Sequence, residues 1–166
     1  MAASSARSGA LFTFAAPSDR EIVMTRVFDA LPALVFEAWT NPEHVIHWWG
    51  PQGCALAVCE IDLRAGGSWH FVLIGPDSKD YPFRGTYHDI APPERLVYTQ
   101  IFDIHPWSNQ ETLISVNFAG QNGQTLIRQT ILHPTTEVRN AHISPGMKAG
   151  AAETLDRLAD HLKTMV

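Results

Sequence analysis

Among the residue types that can do chemistry, histidine is the most frequent candidate, with eight in the chain. His44 and His47 stand three apart in a stretch of helical character, which puts their rings on neighbouring positions of one helix face. Two imidazoles are only half of a typical zinc site, which needs a third and usually a fourth donor. No HExxH pattern exists, and His70, His88, His105, His133, His142 and His161 are scattered without ligand spacing. The sequence therefore points to no metal, with His44 as a solvated helix residue and His47 as a half-buried one beside Trp48.

Nucleophilic catalysis fares no better. No serine sits in a GxSxG elbow, and Cys54 and Cys59 lack any local motif with a base. If the two cysteines share a strand, their odd spacing turns them to opposite faces, so they are not expected to bond to each other. Unpaired thiols suit a reducing compartment, and the cytoplasm is the expected location. Gly66-Gly67 reads as a hairpin turn and not a phosphate loop, because no helix follows it. Proton transfer would require Glu60, Tyr87, His88, Tyr98 or Arg128 inside a pocket, where burial shifts pKa values. The plainer reading makes Glu60 and Arg128 a surface cross-strand pair. No catalytic residue and no cofactor is expected.

The aromatic residues say more. Trp48 and Trp49 end a short helix, Trp69 and Phe71 share one strand face, and Tyr87, Tyr98, Phe102 and Trp107 come from later strands and a loop. Such residues either fill a core or line an apolar pocket in which phenol and indole groups orient a ligand. The expected lining is Trp48, Trp49, Trp69, Phe71, Tyr87, Tyr98 and Phe102, with Arg128 from a strand and Met147, Ala151 and Leu155 from a helix. Tyr87, Tyr98 and Arg128 are the expected orienting groups.

The elements that must position these residues can be read in order. Residues 1–17 read as a flexible tail, and 18–166 as one domain. Ile22 to Phe28 is rich in β-branched and apolar residues and predicts a strand. Asp29 is placed to cap a helix that carries Pro32 and apolar Leu34, Val35, Ala38 and Trp39. Asn41-Pro42-Glu43 starts a second, short helix that Gly50-Pro51 stops. Strands are then expected at 54–63, 68–74, 83–90, 96–104, 112–120 and 124–132, the last two joined by the hairpin signal Asn122-Gly123. Ser144-Pro145 opens a helix to about Met165, with Met147, Ala151, Leu155, Leu158, Ala159, Leu162 and Met165 on one stripe. Glu153, Asp156, Arg157, Asp160 and Lys163 form its polar side. The pattern is α+β: a curved antiparallel sheet of about six to seven strands wrapped around one long C-terminal helix.

Composition agrees with a folded, globular chain and not a disordered one. Hydrophobic residues make up 45% and charged residues 17%, and the net charge of −5 argues against nucleic acid as a partner. No apolar stretch is long enough to insert in a membrane. A homodimer is compatible with the sequence.

Longer stretches carry a likeness. Arg20 to Ala30, Val35 to His44 with its Ala38-Trp39-Thr40-Asn41-Pro42-Glu43, Trp48-Trp49-Gly50-Pro51, Asp62 to Trp69, Arg84-Gly85-Thr86-Tyr87, Pro92 to Tyr98 and Gly150 to Leu162 resemble the activator of heat shock protein 90 ATPase homologue family. The likeness runs over roughly residues 18–165. It implies the START-like, or SRPBCC, superfamily and its helix-grip fold, whose members include lipid carriers, hormone-binding proteins and polyketide cyclases. The leading expectation is a protein that holds a small hydrophobic molecule between sheet and helix. A cyclase or aromatase-like enzyme is the second reading, and a module contacting a chaperone or regulator through its surface is the third.

Overall fold

A computed structural model of the chain describes residues 12–143 and 146–165. Eight strands form one antiparallel sheet in the order β1-β2-β8-β7-β6-β5-β4-β3. They are β1 (Phe12–Ala15), β2 (Glu21–Phe28), β3 (Ala55–Ile61), β4 (Ser68–Ile74), β5 (Asp80–Ala91), β6 (Arg95–Phe102), β7 (Thr112–Gln121) and β8 (Gln124–Leu132). Helices α1 (Pro32–Thr40) and α2 (Pro42–Val45) follow β2, and α3 (Thr136–Ile143) and α4 (Met147–Leu162) follow β8. The α+β helix-grip fold is as expected, with α4 held against the concave face through buried Leu155, Leu158 and Leu162.

Several boundaries differ from the sequence reading, each for a local reason. The sheet has eight strands, not six to seven, because Phe12–Ala15, placed in the tail, pairs with Val23 to Arg26 on β2. Helix α1 is preceded by Leu31 with no side-chain cap, so Asp29 does not cap it. Asn41 does cap α2: its side chain accepts the Glu43 amide at 3.0 Å. Helix α3 was not expected. Its signal lies in Thr135, whose hydroxyl accepts the Val138 amide at 3.1 Å, with Glu137 in the first turn. Cys54 lies just before β3 instead of inside it, and both cysteines are free. Ser144-Pro145 lies outside the described residues; the helix is seen from Met147.

Short connections build the sheet. Asn122 and Gly123 both take positive φ, 53° and 79°, the pair of values that joins β7 to β8 tightly. The long return from β8 to β2 sets the facing of both: Met24 opposes Gln129, Arg26 opposes Ile127 and Phe28 opposes Thr125. Ile22, Met24, Arg26 and Phe28 thus point inward with Thr125, Ile127, Gln129 and Ile131. Gly85 marks another close approach. The Trp69 indole N–H crosses to the Thr99 carbonyl at 3.0 Å, directly over Gly85, its cross-strand neighbour. A Cβ on residue 85 would lie 1.8 Å from that carbonyl oxygen, so only glycine fits.

Candidate functional site

Between α4 and the sheet lies a cavity of about 440 Å³. Met147, Ala151, Thr154 and Leu155 form its helical wall, Trp39, Trp48, Trp49, Gly50 and Pro51 one end, and Met24, Leu73, Tyr98, Ile114 and Ile131 its floor. The apolar stripe of α4 thus does two jobs: Leu155, Leu158 and Leu162 are buried, while Met147 and Ala151, nearer its start, stand over open space. A second cavity of about 370 Å³ adjoins it and shares Phe83, Gln100 and His142. Phe102, Trp107, Gln110, Thr112, His133, Val138 and Ala141 complete that second wall.

The end formed by residues 47–54 is held from α4 by Arg157 and Glu153. The Arg157 guanidinium donates to the carbonyls of Gly50 at 2.7 Å, Pro51 at 3.1 Å, Cys54 at 3.4 Å and His47 at 3.3 Å. Beside it the Gln52 amide donates to the Glu153 carboxylate at 3.2 Å. The polar side of α4 is therefore partly structural, not only solvated. Trp48 is core, 2% exposed, and its indole N–H donates to the Ala38 carbonyl at 2.9 Å. Trp49 is half-buried and sets its ring edge-on to Phe71 and Phe83, each with centroids 5.0 Å away.

The other expected lining residues divide. Trp48, Trp49, Tyr98, Met147, Ala151 and Leu155 come together around the main cavity. Phe102 faces the second one. Trp69, Phe71 and Tyr87 close around a void of about 20 Å³, too small for more than a single water, and belong to the packed core. Burial raises the Tyr87 phenol above its usual range, and raises that of Tyr98 to about 12 against an opposing hydrogen bond from Trp39.

Arg128 is a correction. It is exposed on the convex face opposite Thr25, because β8 presents its odd-numbered residues inward. The inward guanidinium is that of Arg26, 1% exposed, which donates to the Asp156 carboxylate of α4 at 2.6 Å and lies 5.3 Å from the Phe28 ring centre. Nor do Glu60 and Arg128 pair: Glu60 lies against His70 on the neighbouring strand, 3.2 Å away on the surface. His88 is exposed.

The histidines regroup in space. His44 Nδ1 meets His161 Nε2 at 2.9 Å, and His47 stacks on His161 with centroids 5.0 Å apart. His44 is half-buried and His47 exposed, the reverse of the sequence reading, because α2 turns His44 toward α4. Among the described residues no group of three or more histidine, cysteine, aspartate or glutamate side chains is arranged to hold a metal ion. A second pair was missed altogether: His133 Nε2 and His142 Nδ1 stand 2.8 Å apart, and His133 Nδ1 donates to the Arg20 carbonyl at 2.8 Å. Burial lowers the pKa of His142 to about 4, with His133 adding to the effect. Burial also lowers that of His133, against the Arg20 hydrogen bond. Among the described residues no helix is long and apolar enough to cross a membrane.

The comparisons with known proteins agree with this architecture. Residues 29–163 match the family described as Activator of Hsp90 ATPase homolog 1-like protein. A crystal structure of a Rhodobacter sphaeroides protein superposes with a TM-score of 0.84 at 22% identity, covering 93% of this chain and 99% of that one. A Staphylococcus epidermidis protein solved by NMR gives a TM-score of 0.79 at 25% identity, covering 93% and 95%. A Nitrosomonas europaea protein gives 0.79 at 22%, covering 90% and 98%. No curated protein matches the chain. Because the match reaches from the first turn after β2 to the end of α4, the chain belongs to the Activator of Hsp90 ATPase homolog 1-like family.

Proposed function

We propose that the protein binds a small hydrophobic molecule between α4 and the concave face of the sheet. The observation that carries this reading is the cavity of about 440 Å³ under Met147 and Ala151, a size typical of small-molecule sites. Its walls are mainly aliphatic and aromatic, with Tyr98, Gln100, Gln129, His142 and Thr154 as the polar side chains available to orient a ligand. The helix-grip fold supports the reading, since a sheet curled around one helix leaves space that side chains do not fill. Of the expected orienting groups, Tyr98 lines this cavity and Arg128 does not.

A fluorescent fatty acid or naphthalene-type dye tests this directly. Saturable binding near one equivalent, lost in Ala151→Phe with the melting temperature kept, is the expected result. Titration curves that never saturate, or that are unchanged by filling the cavity from Ala151, would remove the proposal.

A further inference from the structure

The His133–His142 pair has a fixed arrangement of protons. A carbonyl can only accept, so His133 carries its proton on Nδ1, where it donates to Arg20. Neutral His133 then has a bare Nε2, and the 2.8 Å contact requires the donor to be His142 Nδ1–H. His142 is left with an unprotonated Nε2, and no hydrogen bond to that atom exists among the described residues. The ring belongs to the walls of both cavities, at their junction with Phe83 and Gln100. Burial keeps both imidazoles neutral at pH 7, which holds the arrangement in place. Arg139 and His133 are the charged or titratable groups that bear on the pair. The Gln100 side chain likewise has no hydrogen bond among the described residues.

We infer that the ligand of this site carries a hydroxyl group, phenolic or alcoholic, that donates its proton to His142 Nε2 and accepts from the Gln100 amide. The inference rests on the ligand-binding reading above and narrows it to apolar molecules with a hydroxyl head. His142 is half-buried on the wall of both cavities, and a hydroxyl at their junction supplies the donor its Nε2 lacks while the apolar body occupies the space beneath α4. An ether or hydrocarbon of the same shape leaves the imidazole unpaired. Because the two rings are linked, His133 is a positioning residue that selects the His142 tautomer through the Arg20 carbonyl.

The test compares 4-hexylphenol with 4-hexylanisole by calorimetry or dye displacement. The wild-type protein is expected to bind the phenol about tenfold tighter, the effect of one neutral hydrogen bond. In His142→Leu the preference should vanish, the phenol and the anisole then binding within about twofold of each other. Long-range ¹H–¹⁵N spectra of the wild-type imidazoles give a readout that no variant has to survive. His142 should carry its proton on Nδ1, and its Nε2 resonance should move with the phenol and not with the anisole. Equal binding of both probes by the wild type, a preference that survives in His142→Leu, or a proton found on His142 Nε2 overturns the inference while leaving the cavity as a binding site. If neither probe binds, the ligand-binding reading falls and this inference falls with it.

Discussion

Arg26 and Asp156 join the second strand to the last helix: the Arg26 Nη1–H donates to Asp156 Oδ1 over 2.6 Å, with Arg26 1% exposed and the Asp156 side chain 39% exposed. The guanidinium enters the interior where its strand neighbours Met24 and Phe28 are core. Removing only the carboxylate strands a buried cation. Asp156→Ala should therefore cost about 1–3 kcal/mol in urea unfolding, less than for a fully buried pair because water reaches the aspartate. Arg26→Met combined with Asp156→Leu should lie closer to wild type than Asp156→Ala does, since no charge is then left unpaired.

Gly85→Ala should be among the more damaging single-methyl changes in the sheet. The new Cβ would meet the Thr99 carbonyl at 1.8 Å and the Trp69 indole nitrogen at 2.5 Å. The strands must part or the indole must leave its hydrogen bond, at a cost of about 3 kcal/mol. Thermal unfolding with tryptophan fluorescence would read both effects.

The two adjacent tryptophans should behave differently. Trp48→Ala removes a 2%-exposed indole hydrogen-bonded to Ala38 and should cost about 3–5 kcal/mol. Trp49→Ala, at a half-buried position on the cavity wall, should cost clearly less and show its main effect as weaker dye binding. Equal destabilisation by both would place Trp49 in the core.

Gly150 offers a gain. It lies inside α4, and a Cβ built there meets no atom within 4 Å. Gly150→Ala should stabilise the protein by about 0.5–1 kcal/mol by restricting the unfolded chain, seen as a raised urea midpoint.

Acid should destabilise the fold through the paired histidines. The folded pKa of His142 is lowered from 6.5 to about 4, so between these values the unfolded chain binds more protons than the folded one. The contribution is complete above about pH 6.5, falls as the pH drops toward 4 and levels off below it. His142→Leu should flatten that part of the stability profile relative to wild type, measured by urea midpoints from pH 7 to 4. A variant profile parallel to wild type would show that His142 titrates normally in the fold.

Much of the fold is written in short-range signals. The Asn41 cap, the Asn122-Gly123 turn and the apolar stripe of Met147 to Leu162 each act within a few residues, so most strands and helices, though not β1 or α3, and the sheet-around-helix arrangement could be read directly. What the sequence left undecided is which face each side chain takes. Strand β8 has apolar residues on both parities, Leu126 and Leu132 against Ile127 and Ile131, so composition could not show that Arg128 points out. Its pairing with β2, about a hundred residues away, made that choice and drew Arg26 inward instead. The same holds for the site chemistry. His133 and His142 sit on a strand end and on a helix with no ligand-like spacing, and His161 reaches His44 across 117 residues. Local sequence governs local dihedrals and periodicity, whereas a pocket and its proton arrangement are made by contacts between distant segments, which only the packed tertiary structure brings together.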